Sequence, residues 1–458
     1  MTEELKASLD DFAQRVPSQV SAVMAQLSSA GYEAYVVGGC VRDALLGREP
    51  HDWDMTTNAT PDQMKEAVRF HSIDTGLKHG TITFVVDHEP IEVTTFRTEG
   101  TYSDGRHPDS VEFASSIEED LSRRDFTVNA MAWSDKVGVV DPFGGMEDLR
   151  NKVLRCVGVA DERFSEDGLR VMRALRFAAI YGFAIEEATA LAVHDRKWML
   201  SAVSAERICA ELTKMMKAVD GKHLAAIVKQ FSDVMMQIMP ELQPTFGMDQ
   251  ENPHHGRDCW THMVDVMAQV EPDPILRLAA LVHDAGKPSC KEKGPDGVAH
   301  YYGHAEAGAK ISEALLRRLK FPRRVIEEVT FLVTQHDTWP VPTQRSARRF
   351  LARCGDEDMA RKLLALMKAD RCAHASGSVE GKFDDLEEFG VFMEAALKED
   401  TAFTVKDLEV NGYDLMERGW KQGASLGAEL QRLFDLVLAG DLQNERQALL
   451  EALGRPID

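Results

Sequence analysis

The sequence lacks the cysteine pattern of a disulfide-stabilised protein and the long apolar runs of a membrane protein. Its seven cysteines are an odd number, lie far apart and form no C-x-x-C pair. Neither a disulfide framework nor a cysteine-based zinc site is therefore predicted. No apolar run approaches the ~18 to 20 residues of a membrane span, and the chain starts with acidic residues where a signal peptide is basic and then apolar. These absences predict a cytoplasmic protein without a membrane segment.

Positive charge is also scarce. The 53 lysines and arginines are outnumbered by 75 aspartates and glutamates, which gives a net charge of −22. Such a balance argues against indiscriminate binding to a phosphate backbone, and no DNA partner is predicted. Two local basic clusters stand out, within 317–324 and 345–353. A solvated helix face is the ordinary interpretation of each cluster, and a localised basic groove is the alternative.

The length and the hydrophobic pattern predict a multidomain protein whose first part is mixed α/β and whose remainder is helical. The chain has 458 residues, enough for about three domains, and its 44% hydrophobic and 28% charged content is typical of globular proteins. Short strand-like segments at 33–37, 81–86, 91–96 and 111–113 alternate with helical ones, such as a capped helix that starts at Thr60. Beyond residue 163 helical periodicity dominates. We predict a mixed α/β head with a small mixed sheet, followed by all-helical parts.

Two carboxylates close to a glycine turn point to a metal site in the head. In Asp52-Trp53-Asp54, the period of two places both carboxylates on one face of an extended strand. Oxygen donors held side by side favour Mg²⁺, which prefers carboxylates together with substrate phosphates. The pair follows Gly38-Gly39, where backbone N–H groups can approach a triphosphate, and Arg42, which can add a phosphate contact. Together these residues predict a magnesium and nucleotide site.

These residues also belong to a longer motif that resembles a known family. The stretch 35–48 with Asp52-Trp53-Asp54 looks like the signature of class II tRNA nucleotidyltransferases and bacterial poly(A) polymerases, of the polymerase β-like superfamily. The stretches 75–81, 123–129, 141–145, 166–173 and 204–207 match the family's further head and neck motifs. About half of the chain is covered. The resemblance implies that Asp52 and Asp54 are catalytic and hold Mg²⁺.

Three further head residues are candidate nucleotide contacts. Arg124, Asp125 and Asn129 interrupt an apolar segment with polar groups, as a ribose and triphosphate require. Salt-bridged packing is the alternative interpretation of the same residues. The resemblance adds Arg173 to the nucleotide-binding set.

Asp167 and Arg170 are candidate readers of the base. Their spacing of three places them on one helix face, where an exposed ion pair is the ordinary explanation. Cytosine and adenine share an amine donor beside a ring-nitrogen acceptor, so Asp167 can accept while Arg170 donates. Uracil and guanine present a carbonyl instead, and the mismatch leaves a buried polar group unpaired. The resemblance also implies that this pair selects the incoming base in place of a nucleic-acid template.

The segment 96–108 is rich in turn formers and charge, which predicts a loop. It resembles the family's flexible loop, which is present in enzymes that add the terminal A, and its presence therefore favours complete CCA addition. Arg106 in this loop is an additional candidate site residue. Glu92, in the strand 91–96, is the candidate third acidic group near the metals, although a solvent-facing glutamate fits the pattern equally well.

Histidines concentrate in the middle of the chain and point to a second metal site. Eight of the 15 lie between residues 251 and 376. His283-Asp284 follows an apolar run, which predicts a helix end facing a bundle, and such ligands suit Fe²⁺, Mn²⁺, Ni²⁺ or Mg²⁺. The set resembles the HD phosphohydrolase superfamily, which implies His262, His283, Asp284 and Asp370 as ligands. His304 and His336 would be auxiliary ligands. A scaffold that has lost its metal is the alternative.

We predict four domains: the head at 1–155, a helical neck with base recognition at 156–250, an HD domain at 251–376 and a helical tail at 377–458. The tail resembles the family's part that holds the tRNA elbow. By resemblance, the predicted function is addition of C, C and A to the 3′ end of tRNA from CTP and ATP, and the HD domain would be a phosphatase or 2′,3′-cyclic phosphodiesterase. The rivals are a poly(A) polymerase, a partial CC- or A-adding enzyme, an HD nucleotide phosphohydrolase with a noncatalytic RNA-binding head, and a tRNA-binding scaffold.

Overall fold

The chain folds into two compact units, and the boundary between them in the sequence follows Pro240. The computed structural model describes residues 12–50, 52–100, 111–251, 257–295, 297–373, 382–398 and 404–455. The first unit holds an α/β head and a helical neck, and the second unit is almost entirely helical. The finer division into four domains stays a prediction.

The head is built on a mixed seven-stranded sheet. Its strands run in the order β3-β4-β5-β2-β1-β8-β9, and β2 and β5 are the parallel pair among antiparallel neighbours. The strands are β1 (Ala34–Val37), β2 (Met55–Thr57), β3 (His71–Gly76), β4 (Thr81–Val86), β5 (Glu89–Thr95), β8 (Ala132–Ser134) and β9 (Gly138–Val140). A separate hairpin pairs β6 (Arg97–Glu99) with β7 (Val111–Phe113). The predicted mixed sheet is confirmed.

Short helices cover this sheet. They are α1 (Phe12–Arg15), α2 (Ser18–Ser29), α3 (Gly39–Leu45), α4 (Pro61–Ala67), α5 (Ile117–Ser122) and α6 (Gly145–Asn151). The predicted capping box of α4 is confirmed: the Thr60 hydroxyl accepts from the Gln63 N–H, and the Gln63 side chain accepts from the Thr60 N–H. These two bonds satisfy donors that a helix N-terminus leaves free.

The neck follows with six helices, of which α8 is the longest and packs against four others. They are α7 (Ala160–Glu166), α8 (Leu169–Tyr181), α9 (Glu187–Arg196), α10 (Ala205–Met215), α11 (Gly221–Gln230) and α12 (Ser232–Ile238). Two short parallel strands, β10 (Val153–Leu154) and β11 (Ala184–Ile185), pair with each other; β10 precedes α7 and β11 follows α8. Eight side chains of α8 are buried, so α8 is the core helix of the neck.

The second unit consists of ten described helices and one small hairpin, β12 (Glu292–Lys293) with β13 (Ala299–His300). Its first six helices are α13 (Cys259–Gln269), α14 (Pro274–Val282), α15 (His304–Arg318), α16 (Arg323–Gln335), α17 (Gln344–Cys354) and α18 (Glu357–Ala373). The last four are α19 (Lys382–Lys398), α20 (Gly412–Glu417), α21 (Ala424–Ala439) and α22 (Arg446–Glu451). Among the described helices, none has the length and apolarity needed to cross a membrane.

Two local predictions are wrong, and both errors concern aspartates. Asp52 and Asp54 precede β2 instead of lying in it. The partner strand β1 ends at Val37, and its last backbone bond to this segment runs from the Val37 N–H to the Asp54 carbonyl at 3.0 Å. Asp167 is extended (φ −140°) and precedes α8, because its carboxylate accepts the Leu169 N–H at 3.0 Å. Neither the pair Asp52 and Asp54 nor the pair Asp167 and Arg170 is therefore presented by one regular element.

Two side chains near the C-terminal end of the tail, those of Asn444 and Arg446, stabilise the fold of the tail. The Asn444 side chain accepts from the Glu409 N–H at 3.0 Å and donates to the Asp407 carbonyl at 2.9 Å. Arg446 pairs with Asp414 at 2.5 Å, and Asp414 completes the capping box of α20. Binding of the tRNA elbow by this part stays a prediction.

Candidate functional site

The turn between β1 and α3 lies directly against the guanidinium group of Arg124. Gly38 has φ +82°, a conformation that disfavours L side chains, and a Cβ there would lie 2.8 Å from Nη1 of Arg124. Any larger residue at position 38 would displace the Arg124 guanidinium. Gly39 then begins α3, so the predicted glycine pair and Arg124 form one local structure.

Three carboxylates converge beside this turn. The parallel register of β2 and β5 pairs Met55 with Val93, and the preceding positions are Asp54 and Glu92. Burial raises the pKa of Asp54, Arg124 opposes that rise, and the charges of Glu92 and Asp52 add to it. Like charges repel one another, and a divalent cation relieves the repulsion. The structure therefore adds Glu92 to the charges that act on Asp54, and a magnesium ion held by these carboxylates stays a prediction.

A cavity of about 260 Å³ lies in the first unit and is lined mainly by arginines. It brings together five of the predicted nucleotide-binding residues: Arg124, Asp125, Asp167, Arg170 and Arg173. Arg123, Arg207 and Leu169 complete the lining. Each of the five guanidinium groups is ion-paired. The pairs are Arg123 and Arg124 with Asp120, Arg173 with Asp125, Arg170 with Glu166 and Arg207 with Asp167. Five arginines therefore face four carboxylates, and the small positive excess suits a phosphate group.

Asp125 is buried beneath this cavity and positions neighbouring side chains through hydrogen bonds. Its carboxylate accepts from Nε and Nη2 of Arg173 at 2.8 and 2.6 Å, from the Asn129 amide at 3.0 Å and from the Phe126 N–H at 2.9 Å. Burial alone would raise the pKa of Asp125, but Arg173 and Asn129 lower it to about 2. Asp125 therefore holds Arg173 in place, and a direct contact between Asp125 and substrate stays a prediction.

Asp125→Asn is expected to destabilise the first unit by about 2 kcal/mol at pH 7, because a pKa lowered from 3.8 to about 2 stabilises the folded state. A lowered pKa contributes its full stability above the unfolded value, and the contribution falls as pH drops through 3.8 towards 2. Urea unfolding of parent and variant between pH 7 and pH 3 measures the difference, which should fall to roughly half at pH 3. A difference independent of pH would assign the loss to packing.

The predicted base readers make different contacts from those expected. Asp167 forms a two-bond pair with Arg207, at 3.3 and 2.7 Å. Arg170 donates to Glu166 and to the carbonyls of Arg163 and Arg123, the latter two at 3.0 and 3.1 Å. Arg207 was not predicted as a site residue, although it lies in the family-like motif 204–207. Arg123 was missed as well, although it adjoins Arg124.

Arg42 points inward rather than into open solvent. It is 5% exposed, donates to both oxygens of Asp43 at 2.9 Å and to the Asn129 side chain, and lies 4.4 Å from the ring centre of Tyr181. The Tyr181 hydroxyl donates to Asp43 at 2.9 Å. These contacts join α3 to the neck helix α8. The predicted phosphate contact of Arg42 stays a prediction.

A second cluster lies inside the second unit, on five helices and their ends. His262 lies on α13, His283-Asp284 follows α14, and Asp370 lies on α18. His304 is the first residue of α15, and His336 follows α16. All six side chains are buried. The structure therefore brings together every predicted principal and auxiliary residue of this cluster.

Asp284 is the centre of the cluster. Two groups of three ligand atoms lie within 4.8 Å of one another among the described residues: His262, His283 and Asp284, then Asp284, His304 and His336. Nδ1 of His283 and of His304 each lies 2.8 Å from a backbone carbonyl three residues earlier. Each bond orients its ring so that Nε2 points towards the centre, as in metal sites where the other ring nitrogen of a ligand histidine is hydrogen-bonded to a backbone carbonyl.

Two central atoms have no hydrogen bond of good geometry. They are Nε2 of His283 and Oδ2 of Asp284, both fully buried. Their separation is 3.2 Å, and Lys287 Nζ lies 2.7 Å from the same Asp284 oxygen. Buried polar atoms without bonds are costly, and a divalent cation would satisfy both. The donor set therefore fits a metal ion.

The charges in this cluster also favour a cation. Burial would lower the pKa of His283, but Asp284 and Asp370 raise it to about 10, so a positive charge is stabilised there. Burial and the His283 charge lower the pKa of His336 to about 3, which keeps its ring neutral as a ligand requires. Sequence reasoning missed Lys287, whose signal is its spacing of three from Asp284.

Several predicted features lie outside the described residues. They are Arg106 with most of its loop, His254, His255 and His374. His51 also lies outside, whereas Asp52 and Asp54 are described.

Comparison with known families assigns most of the chain. Residues 34–155 match the "Poly A polymerase head domain", 182–244 the "Probable RNA and SrmB- binding site of polymerase A", and 304–453 "tRNA nucleotidyltransferase domain 2 putative". The first match covers the sheet, the glycine turn and the acidic trio. The third covers His304, His336 and Asp370.

Individual relatives agree with these families. A CCA-adding enzyme of Lactobacillus helveticus is 50% identical over 193 residues, which are 42% of this chain and 48% of the relative. One from Ligilactobacillus salivarius is 39% identical over 273 residues, 58% of this chain and 65% of the relative. A CCA-adding enzyme of Lactobacillus delbrueckii is 46% identical over 205 residues, which are 52% of the relative, so the chain spans about half the length of the curated relatives it matches.

The fold is similar to solved structures along nearly the whole chain. The Bacillus stearothermophilus CCA-adding enzyme in complex with CTP is 27% identical, with a TM-score of 0.65 over 98% of this chain and 97% of that one. The Thermotoga maritima CCA-adding enzyme complexed with tRNA is 19% identical with a TM-score of 0.61 and supports the fold alone. On these matches, the chain carries domains similar to the head and RNA-binding domains of poly(A) polymerases and to a tRNA nucleotidyltransferase domain, and its fold is similar to that of CCA-adding enzymes.

Proposed function

We propose that this protein adds C, C and A to the 3′ end of tRNA from CTP and ATP and releases pyrophosphate. The observation that carries the proposal is the convergence of Asp52, Asp54 and Glu92 beside the Gly38-Gly39 turn and the arginine-lined cavity. Relatives named as CCA-adding enzymes support the reaction, and a structure with CTP supports the nucleotide. A cytoplasmic location is part of the same proposal.

Asp52, Asp54 and Glu92 would hold Mg²⁺, which lowers the pKa of a bound hydroxyl and neutralises triphosphate charge. Arg124, packed on Gly38, would bind phosphate oxygens at the glycine turn. Arg173 would bind the same polyphosphate, held in orientation by Asp125. Each arginine is positioned before substrate arrives, so little ordering accompanies binding.

The decisive experiment is extension of tRNAs that lack one, two or all three terminal nucleotides, with CTP and ATP offered separately and together. Stepwise extension to the complete CCA end supports the proposal. Extension by a run of adenylates would favour the poly(A) polymerase, and addition limited to CC or to A would favour a partial enzyme. No extension of any tRNA would contradict nucleotide transfer by this chain.

Asp167→Ala is expected to lower the preference for CTP over UTP by roughly ten- to hundredfold, which corresponds to the loss of a charged hydrogen bond. Asp167 lines the cavity, and its carboxylate is the acceptor that repels O4 of uracil. The measurement is kcat/KM for CTP, ATP, UTP and GTP on a tRNA without its terminal nucleotides.

The matched control for this prediction is Asp161→Ala. Asp161 lies on the preceding helix α7 and pairs with Arg196 at 2.5 Å, outside the cavity. Its removal should leave the CTP preference within twofold. If Asp167→Ala keeps the parent selectivity while activity survives, its pair with Arg207 is structural and base choice is made elsewhere.

We propose a second function for the histidine and aspartate cluster of the second unit, the metal-dependent hydrolysis of phosphoesters. The two buried atoms of His283 and Asp284 that lack a hydrogen bond of good geometry favour it. Mn²⁺, Ni²⁺, Fe²⁺ or Mg²⁺ would bind His262, His283, Asp284 and Asp370, with His304 and His336 at the adjoining position, and would supply hydroxide from bound water. The test is opening of a 2′,3′-cyclic nucleotide, or release of phosphate, in the presence of each metal.

A further inference from the structure

The two basic clusters of the sequence have different environments. In the first, each of four arginines pairs with a glutamate at 2.5 to 2.7 Å. The pairs are Arg317–Glu313, Arg318–Glu241, Arg323–Glu327 and Arg324–Glu328. Their charge is neutralised locally, so the ordinary interpretation, a solvated helix face, is confirmed for this cluster.

The second cluster keeps its positive charge available. Arg345, Arg349 and Arg353 are exposed and recur every four residues on α17, so they share one face over about 12 Å. Arg345 and Arg349 form no hydrogen bond or ion pair with any residue that the structure describes, and Arg353 donates to the neutral Gln335 amide at 3.2 Å. In a chain of net charge −22, such a face is suited to an anion from outside.

An apolar pocket opens beside this arginine face. Its volume is about 350 Å³, within the range of small-molecule sites, and its apolar lining is Trp339, Pro340, Val341 and Phe350. The Arg371 guanidinium lies 3.4 Å from the Trp339 ring centre, which fixes the indole. Trp339 is nevertheless 45% exposed, so part of its ring surface remains open to a ligand.

A planar apolar surface beside unneutralised arginines matches the two halves of a nucleotide. Bases stack on exposed aromatic rings, and arginine binds phosphate oxygens with two parallel hydrogen bonds. We infer that this pocket binds a nucleotide unit, its base on Trp339 and its phosphate on Arg345 and Arg349. A free nucleotide and a nucleotide of a single RNA strand share this chemistry. The inference depends on neither activity proposed above.

The position of the pocket gives this binding a consequence. The pocket begins at Thr338, two residues after His336, and Arg371 directly follows Asp370. A nucleotide bound there lies next to the histidine and aspartate cluster of the second unit. The pocket is separate from the arginine-lined cavity of the first unit, which no residue of α17 lines.

Fluorescence of Trp339 tests the inference at the pocket itself. The full chain has six tryptophans, so the signal is the component that Trp339→Phe removes. Cytidine 5′-monophosphate and a short single-stranded oligoribonucleotide are titrated at low salt. Quenching of that component by either probe supports the pocket, and the two arms show whether a free nucleotide suffices or a strand is needed.

The arginine face is tested with a matched pair of double variants. Arg345→Ala with Arg349→Ala should raise the Kd of the quenching probe at least about tenfold and lower the salt slope for the oligonucleotide by roughly 1.4. Arg323→Ala with Arg324→Ala removes the same charge from ion-paired positions and should change the Kd less than twofold. The inference is overturned if the first double variant binds like the parent, or if millimolar probe leaves the Trp339 component unchanged.

Discussion

Asp54→Ala is expected to lower the rate of nucleotide addition by at least about a thousandfold, a loss of roughly 4 kcal/mol in transition-state stabilisation. The charges of Glu92 and Asp52 both act on Asp54, so its carboxylate is the one that interacts with both of the others. Without it, the remaining carboxylates are too few to hold the metal that activates the hydroxyl. Asp52→Ala should have an effect of the same order.

Affinity for tRNA should stay within about twofold in these variants, because the acidic trio repels phosphate and contributes no favourable backbone contact. The measurements are single-turnover addition of CTP to a shortened tRNA, and tRNA binding by filter retention. Asp62→Ala, at an exposed position in the first turn of α4, is the control and should add nucleotides at the parent rate. Near-normal addition by both Asp52→Ala and Asp54→Ala would remove the metal assignment from this site.

The head was predictable because its chemistry is encoded locally. Gly38, Asp52 and Asp54 lie within 17 residues, and their order along the chain predicts their proximity. The partner of Asp54 was harder to place, since Glu92 reaches it through a parallel pairing of β2 with β5 that no local pattern specifies. The spacing of two predicts a strand for both carboxylates, whereas β2 begins only at Met55, because sequence spacing does not show where the partner strand ends.

Contacts between arginines and distant carboxylates were the least predictable part. The i,i+3 rule joined Asp167 to Arg170, whereas the folded chain pairs Asp167 with Arg207, forty residues away. Arg42, whose phosphate contact stays a prediction, is buried against Tyr181, 139 positions further along the chain, and no sequence spacing indicates that contact. A guanidinium has five donors, and which carboxylate or ring it meets depends on tertiary packing of α3, α8 and α10.

The histidine cluster was predictable as a set but not as a geometry. His283-Asp284 at a helix end was visible from the apolar run before it. That Asp284 is shared by two groups of ligands, and that Lys287 approaches the same oxygen, depends on helices α13 to α18 packing around one point. Sequence spacing carries no information on that convergence.

Asp284→Ala is expected to abolish metal binding and any phosphoester hydrolysis by the second unit, with nucleotide addition unchanged. Asp284 belongs to both groups of ligands, so its removal disrupts both. A metal at a hundredfold its Kd stabilises the folded state by about 2.7 kcal/mol, which raises the Tm of a unit of this size by roughly 5 to 10 °C. Mn²⁺ or Ni²⁺ should therefore raise the Tm of the parent, and the variant should show less than about 1 °C.

Two controls separate this result from effects elsewhere. The comparison is made in the Asp54→Ala background, so that metal bound by the head contributes little to the shift. Asp358→Ala, which removes an ion pair with Lys362 on the same helix as Asp370, should keep the full metal response. If Asp284→Ala retains the parent's shift, the metal binds elsewhere. If the parent shows no shift with any of the four metals, Lys287 already neutralises Asp284, and the cluster is a scaffold held by its own charges.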